Sequence, residues 1–361
     1  MRHLRVPSTE TSAWRDVLLR HGWLSEGTGI LAVEADRLLP LSDEAPEATS
    51  EVWKGHAIEE HDPLLRGPSH WSERVLDHLP SHLHDLLPTS HEVVGDVLLV
   101  KLEEALLEHG RTIAEAMLQQ LPHVRLVCQD RGVHGPYRVR DLAPLAVREG
   151  DASTVTEVKE HGLRYTLDPA RVYFSARLSG ERARSASVLE DHATHLGRPL
   201  VVYDPYAGVG PNLGLPLHRG LIRTVVAGDL NPAAASFLEA NLERLAPSSA
   251  SLRPTVRIEV GDGRAWRAKA ELLGRADALF LNLPHEATEH VADLLPLLAE
   301  DAWLLGWVIA DRDSAGRITT ELEDAHQQAS RHVQALEVAL VKGYSTSMAI
   351  HRIAVRSTTG S

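Results

Sequence analysis

Four short segments of this 361-residue chain place an acidic or amide side chain directly after an apolar run: Asp204-Pro205-Tyr206-Ala207-Gly208-Val209-Gly210-Pro211, Asp229-Leu230-Asn231-Pro232, Gly261-Asp262-Gly263 and Asn282-Leu283-Pro284. In the first, small residues let the backbone approach a ligand closely at the carboxyl end of a strand. The same D-x-x-x-G-x-G spacing also suits an ordinary tight loop or another dinucleotide binder. In the second, Asp229 can accept hydrogen bonds from both hydroxyls of a ribose, and Pro232 at a first helical turn sacrifices no hydrogen bond. Asp229 or Asn231 could equally cap that helix, and the two uses are compatible. In the third, the Asp262 carboxylate can meet an adenine amino group, and Asn282 closes the series. In an open α/β sheet, groups at four successive strand ends point into one crevice, and that convergence argues for a nucleotide-like cofactor more strongly than any single motif.

Other residue types narrow the chemistry. Cys128 is the only cysteine, which excludes a disulfide framework and any multi-cysteine metal site, and its apolar surroundings at 124–128 read as a buried strand thiol. Many of the 21 histidines are isolated, and the closest group, His78, His82 and His84, is not a convincing ligand set without carboxylates placed by the fold, so no metal is expected. A formal net charge of −13 argues against coating nucleic acid over the whole surface. Arg131, Arg138, Arg140, Arg148, Arg164, Arg171, Arg177, Arg182 and Arg184 nevertheless all fall within 129–185, which leaves room for a local basic groove. No apolar run approaches the roughly 18 residues of a membrane span. Arg2, Arg5, Glu10, Arg15 and Asp16 interrupt the first thirty positions without a signal-like block, so a cytoplasmic protein is expected.

The elements that must position these residues fall into three stretches. Residues 1–62 read as a small α/β module with a helix over 12–21, strands over 29–33 and 37–41, and an exposed loop over 42–49, ahead of a linker at 63–68. Residues 70–165 read as α+β, with a strand over 93–102, a helix over 103–121 and a strand over 124–128. From 199 onward, strands over 200–203, 224–227, 256–260, 278–281 and 303–309 alternate with helices such as 233–245, the pattern of a parallel sheet covered on both faces. Strands over 337–341 and 349–355 flank Gly343-Tyr344-Ser345 and suit an antiparallel edge hairpin.

The stretch Tyr173-Phe174-Ser175-Ala176-Arg177-Leu178-Ser179-Gly180-Glu181-Arg182, with the Gly208 loop, Asp229-Leu230-Asn231-Pro232 and Asn282-Leu283-Pro284, resembles the archaeal and eukaryotic family that methylates N1 of guanosine 37 in tRNA. Gly135-Pro136-Tyr137-Arg138-Val139-Arg140 and Val341-Lys342-Gly343-Tyr344-Ser345 with His351 are similar to it as well. The resemblance implies a class I, Rossmann-like, seven-stranded methyltransferase domain at 166–361, a ferredoxin-like α+β domain at 70–165 and a small tRNA-docking domain at 1–62. It further implies S-adenosylmethionine as cofactor, tRNA as partner and a monomer. Cofactor contacts would come from Tyr173, Arg177, Asp204, Ala207, Gly208, Asp229, Leu230, Asn231, Asp262, Gly263 and Asn282.

Methylation at guanine N1 requires loss of the N1 proton and stabilisation of charge shifting to O6. By resemblance Glu181 is the base, Arg140 (with Arg138 as the registration alternative) the cation at O6, and Asn282 the holder of the base edge. Read without the family, Glu181 is a helix-start carboxylate paired with Arg182 or Arg184, Arg138 and Arg140 share an exposed strand face, and Arg177 pins a linker. Ala176, Gly180 and Asn212 stand where the family usually has Pro, Thr and Phe. The related aminocarboxypropyl transferase of the wybutosine pathway tends to have Asn where Leu178 stands and lacks the Asn-Leu-Pro. A non-catalytic RNA-binding relative would not be expected to keep Asp204, Gly208, Asp229, Asp262 and Asn282. His285 after Asn282-Leu283-Pro284 departs from the N-P-P-Y signature of exocyclic-amine methyltransferases.

Overall fold

The computed structural model describes every residue except Arg66, Ala250, Ser251, Pro284, Glu286 and Ser361. The chain divides into two compact units, Met1–Asp85 and Leu86–Ser361.

In the first unit, β1 (Arg2–Pro7), α1 (Thr11–Arg20), β2 (Leu31–Val33), β3 (Asp36–Pro40) and β4 (Ile58–Glu60) form an antiparallel sheet of order β2-β3-β1-β4 with one helix. Leu4, Val6, Trp14, Leu18, Leu39 and Trp53 make its core. Neither β1 nor β4 shows a clear apolar alternation. The central strand β1 is held partly by charge, since Arg5 pairs with Asp36 of β3 at 2.7 Å and with Glu59 of β4 at 3.1 Å. The loop expected to be exposed over 42–49 is partly tied down: Ala45 is buried, its carbonyl accepts from Arg2 at 2.9 Å, and Trp53 donates to the Glu47 carbonyl. His78, His82 and His84 lie in short 3-10 turns, and His84 contacts the carbonyls of Leu76 and Leu79. Among the described residues no group of His, Cys, Asp and Glu is arranged to hold a metal, and no helix is long and apolar enough to cross a membrane.

The second unit opens with a four-stranded sheet, β5 (Glu92–Val94), β6 (Val97–Val100), β7 (Leu126–His134) and β8 (Val139–Val147), in sequential order. The single strand expected over 93–102 is instead a hairpin, because Gly95 turns the chain at φ 61°. β6 and β7 are parallel, joined through α2 (Gly110–Gln120), whose expected beginning at 103–109 is a 3-10 turn. Among the described residues the layering is α+β, with one covering helix, α2, rather than the two of a ferredoxin-like core. Cys128 is fully buried in β7, and burial pushes its thiol up to about 12.

A hairpin of β9 (Thr156–Glu160) and β10 (Leu163–Leu167) leads into α3 (Ser179–Leu196) and the main sheet. Its strands are β11 (Leu200–Asp204), β12 (Ile222–Asp229), β13 (Thr255–Val260), β14 (Ala276–Leu281), β15 (Leu298–Asp311), β16 (Arg331–Gly343) and β17 (Met348–Thr359). They are interleaved with α4 (Pro211–His218), α5 (Pro232–Leu245), α6 (Ala287–Leu294) and α7 (Ala315–Gln328). The order is β13-β12-β11-β14-β15-β17-β16, parallel except for β17, which lies antiparallel between β15 and β16. β11 and β14 are buried along their whole length because helices cover both faces. Val202 and Phe280 pack under α4 and α5 with Leu213 and Leu238, whereas Tyr203 and Leu279 pack toward α6 and α7 with Val291 and Leu322. The strand order reverses between β11 and β14, so the carboxyl ends of these strands part around a crevice.

Candidate active site

Asp204 ends β11 fully buried. Burial pushes its carboxyl up to about 8, opposed by the Asn212 amide at 3.2 Å and the Tyr206 N–H at 3.3 Å. Asn212 thus supplies Asp204 with a donor that a Phe could not. After the loop, Gly210 opens α4 at φ 86°, where a Cβ would come within 2.9 Å of Leu238. Only glycine meets both demands.

Asp229 ends β12 half-buried and ties two loops together. Its carboxylate accepts from the Gly208 N–H and the Asn231 N–H, each at 2.8 Å, while desolvation raises its pKa above the usual carboxylate value. Asn231 is the helix cap, accepting from the Ala233 N–H at 3.0 Å, and its amide donates to the Arg171 carbonyl at 2.7 Å. Capping therefore does not consume Asp229, whose oxygens each keep acceptor capacity for a hydroxyl pair. Ala207 is buried and donates to the Gly228 carbonyl. Leu230 and Tyr173 are exposed, and the Tyr173 carbonyl lies 3.8 Å from the place of a Cβ on Gly208.

At the end of β13, Asp262 caps the turn over 263–268 and is clamped by Arg264, with 2.7 Å between Nη2 and Oδ2. That hydrogen bond holds its carboxyl below the usual range. A Cβ on Gly263 would stand 2.6 Å from Pro205, so the two loops meet where only a hydrogen fits. After β14, Asn282 and Leu283 are half-buried, and Pro284 lies outside the described residues. The His285 ring stands edge-on to Tyr344 at 5.9 Å, which brings the β16–β17 turn to the end of β14. Arg312 braces that turn through the carbonyls of Ser345 and Thr346.

The residues expected to act on a substrate are more scattered. Glu181, in the first turn of α3, is 12% exposed and accepts from Arg352 Nη1 at 2.9 Å, with Arg184 Nε 3.7 Å away. Arg182 turns inward to a bidentate pair with Glu160 at 2.7 and 2.5 Å. Of the two partners expected for Glu181, only Arg184 is near. Arg140 stands between Asp130 at 2.8 Å and Glu92 at 2.6 Å, and no hydrogen bond or ion pair joins it to the crevice among the described residues. Arg138 occupies the β7–β8 turn at φ 51°, and Arg177 is exposed in the turn before α3.

The basic groove expected from the arginine-rich segment is much reduced by pairing. Arg148 spends its guanidinium on the carbonyls of Leu118, Leu121 and Val124, Arg164 pairs with Glu157, and Arg182 is buried. Arg352 was not among the expected site residues. Its link to Glu181 spans 171 positions, and no local pattern announces it.

The geometry offers a carboxylate for a hydroxyl pair, glycine-lined loops and polar groups at four strand ends. Comparison with known proteins adds to it. Residues 156–329 match the family described as TRM5/TYW2 methyltransferase domain, and residues 72–150 match the TYW2 N-terminal domain. The tRNA (guanine(37)-N(1))-methyltransferase Trm5b of Pyrococcus abyssi is 32% identical over 235 residues, 64% of this chain and 63% of that protein. The aligned stretch thus spans less than two thirds of that relative's length. The crystal structure of Trm5b from P. abyssi superposes with a TM-score of 0.70 at 25% identity, covering 99% of both chains. TYW2 of P. horikoshii, solved in complex with MeSAdo, shares the fold with a TM-score of 0.63 at 21% identity, over 80% of this chain and 98% of that one.

Proposed function

The chain belongs to the TRM5/TYW2 methyltransferase family, and we propose that it transfers the methyl group of S-adenosylmethionine to N1 of guanosine 37 in tRNA. The observation that carries this reading is the tie between Asp229 and Gly208, which presents a carboxylate beside a glycine loop at the switch point of the sheet. The residues present fit the cofactor: Asp229 would take the ribose hydroxyls, Asp262 and Gly263 would face adenine, and Gly208 with Ala207 would line the loop. Asp204 is fully buried, so it would act by holding that loop through Asn212 and Tyr206 rather than by touching the ligand. Tyr173, Arg177, Leu230 and Asn231 would flank the crevice from the segments before α3 and α5. When bound, the cofactor supplies an electrophilic methyl group.

The chain's own side chains would handle the purine. Glu181 would accept the N1 proton as the new bond to N1 forms, and Asn282 would hold the base edge. Arg140 would stabilise charge at O6, which requires that it give up Asp130 or Glu92 as a partner. The same reading takes tRNA as the partner of a cytoplasmic monomer that needs no metal. The similarity of residues 72–150 to the TYW2 N-terminal domain favours a second reading, transfer of an aminocarboxypropyl chain. Leu178 and Asn282 favour methyl transfer. Nucleoside analysis of a guanosine-37 transcript incubated with protein and cofactor tests both. The expected product is 1-methylguanosine; an aminocarboxypropyl nucleoside, or unmodified RNA, would overturn the proposal.

A further inference from the structure

Arg352 sits in the middle of β17, in register with Trp307 of β15 on one side and Ala339 of β16 on the other. Its backbone is therefore fixed by two neighbouring strands. The side chain is 11% exposed and reaches two carboxylates: Nη1 donates to Glu181 Oε2 at 2.9 Å, and Nη2 donates to Glu337. Its Nε is buried with no hydrogen-bond partner among the described residues, and the two carboxylates anchor the guanidinium. An ion pair this far from water recovers its desolvation only with good geometry, and it fixes the orientation of whatever it holds. Here it holds one oxygen of Glu181. The other, Oε1, has Arg184 Nε at 3.7 Å, beyond hydrogen-bonding distance, and Arg184 is mostly exposed.

We propose that Arg352 is the positioning residue for Glu181: it locks Oε2 so that Oε1 is the oxygen that meets the substrate proton. The proposal rests on the reading of Glu181 as proton acceptor. Charged groups facing Glu181 are Arg352 from β17, Glu337 of β16 through that arginine, and Arg184 from its own helix. His161, in the β9–β10 turn, contacts Ser179 at the start of α3, and the neighbouring Arg182 is committed to Glu160.

The test is the rate of single-turnover methylation of a guanosine-37 transcript by the full chain, with cofactor and transcript affinities measured alongside. Arg352→Gln should slow the reaction at neutral pH by about ten- to a hundredfold, the scale expected when a reacting group is misplaced. Cofactor affinity by calorimetry and transcript affinity by filter binding should stay at the parental values, because the loss falls on the chemical step. Arg352→Lys should restore part of the rate. A parental rate, a loss confined to affinity, or no rescue by Arg352→Lys overturns the proposal. Glu181→Gln run alongside separates the two ideas: if it keeps the parental rate, the reading of Glu181 itself fails. Should Arg352→Gln not fold, Glu337→Gln answers the same question, since it weakens one of the two anchors of Arg352 and should slow the reaction, by less than Arg352→Gln, at parental cofactor affinity. A parental rate there also overturns the proposal.

Discussion

Asp204 and Asp229 end adjacent parallel strands, and their surroundings assign them different work. Asp229 is half-buried with two backbone donors, so it can receive ligand hydroxyls. Asp229→Ala should weaken cofactor binding more than about tenfold, because a hydrogen bond to a charged acceptor contributes about 1.5–3 kcal/mol. Calorimetry on the folded variant checks this, and unchanged affinity would remove the assignment. Asp204 is buried, with its carboxyl pushed up to about 8. The folded protein therefore holds a proton there that the unfolded chain has released above about pH 4. Where the native state binds more protons, stability falls as pH rises, here between about 4 and 8. Asp204→Asn cannot titrate, so its urea midpoint relative to the parent should rise from pH about 5 to pH about 8. A constant difference across that range would mean that Asp204 is ionised in the folded protein.

The catalytic-domain elements are secured to the preceding hairpin by charge as well as by apolar packing. Arg182 of α3 and Glu160 of β9 are each about 5% exposed and joined bidentately, with the Arg182 guanidinium 5.4 Å from the Phe174 ring. Removing either partner strands a buried charge. Arg182→Ala and Glu160→Ala should each cost about 3–5 kcal/mol in denaturant unfolding, and the double variant clearly less than their sum. Additive losses would show that the two side chains act independently. This joint lies beside Glu181 in sequence, yet the neighbouring positions point to different tasks: Arg182 inward to the hairpin, Glu181 across to β17. The strands of the main sheet were legible because parallel strands buried on both faces need unbroken apolar runs. β1 and β4 were not, because a short strand stabilised by Arg5, Asp36 and Glu59 has a polar sequence. The hairpin of β5 and β6 is legible too, since Gly95-Asp96 between two apolar pairs is a two-residue turn signal, which a single strand over 93–102 passes over.

For the molecule as a whole, a net charge of −13 sets the terms on which a polyanion can bind. Affinity for a guanosine-37 tRNA should fall as salt rises, since each phosphate neutralised releases counterions. Arg148, Arg164 and Arg182 are occupied within the protein, so few should contribute, and the salt slope should be shallow. Filter binding between about 50 and 200 mM salt measures it; a salt-independent affinity would count against an RNA partner. The sequence by itself determined the alternation of strands and helices, the polar groups that end four of those strands, and the burial of the single thiol. These are local properties, set by residue type, period two or 3.6, and the rule that ligands meet sheets at carboxyl ends. Only the tertiary structure decided which partners the charged side chains take. It gave Arg352 to Glu181, Glu160 to Arg182, Asn212 to Asp204, and Asp130 with Glu92 to Arg140. A charge looks the same in sequence whether it faces water, a ligand or an opposite charge brought from 171 positions away, because the partner is chosen by packing.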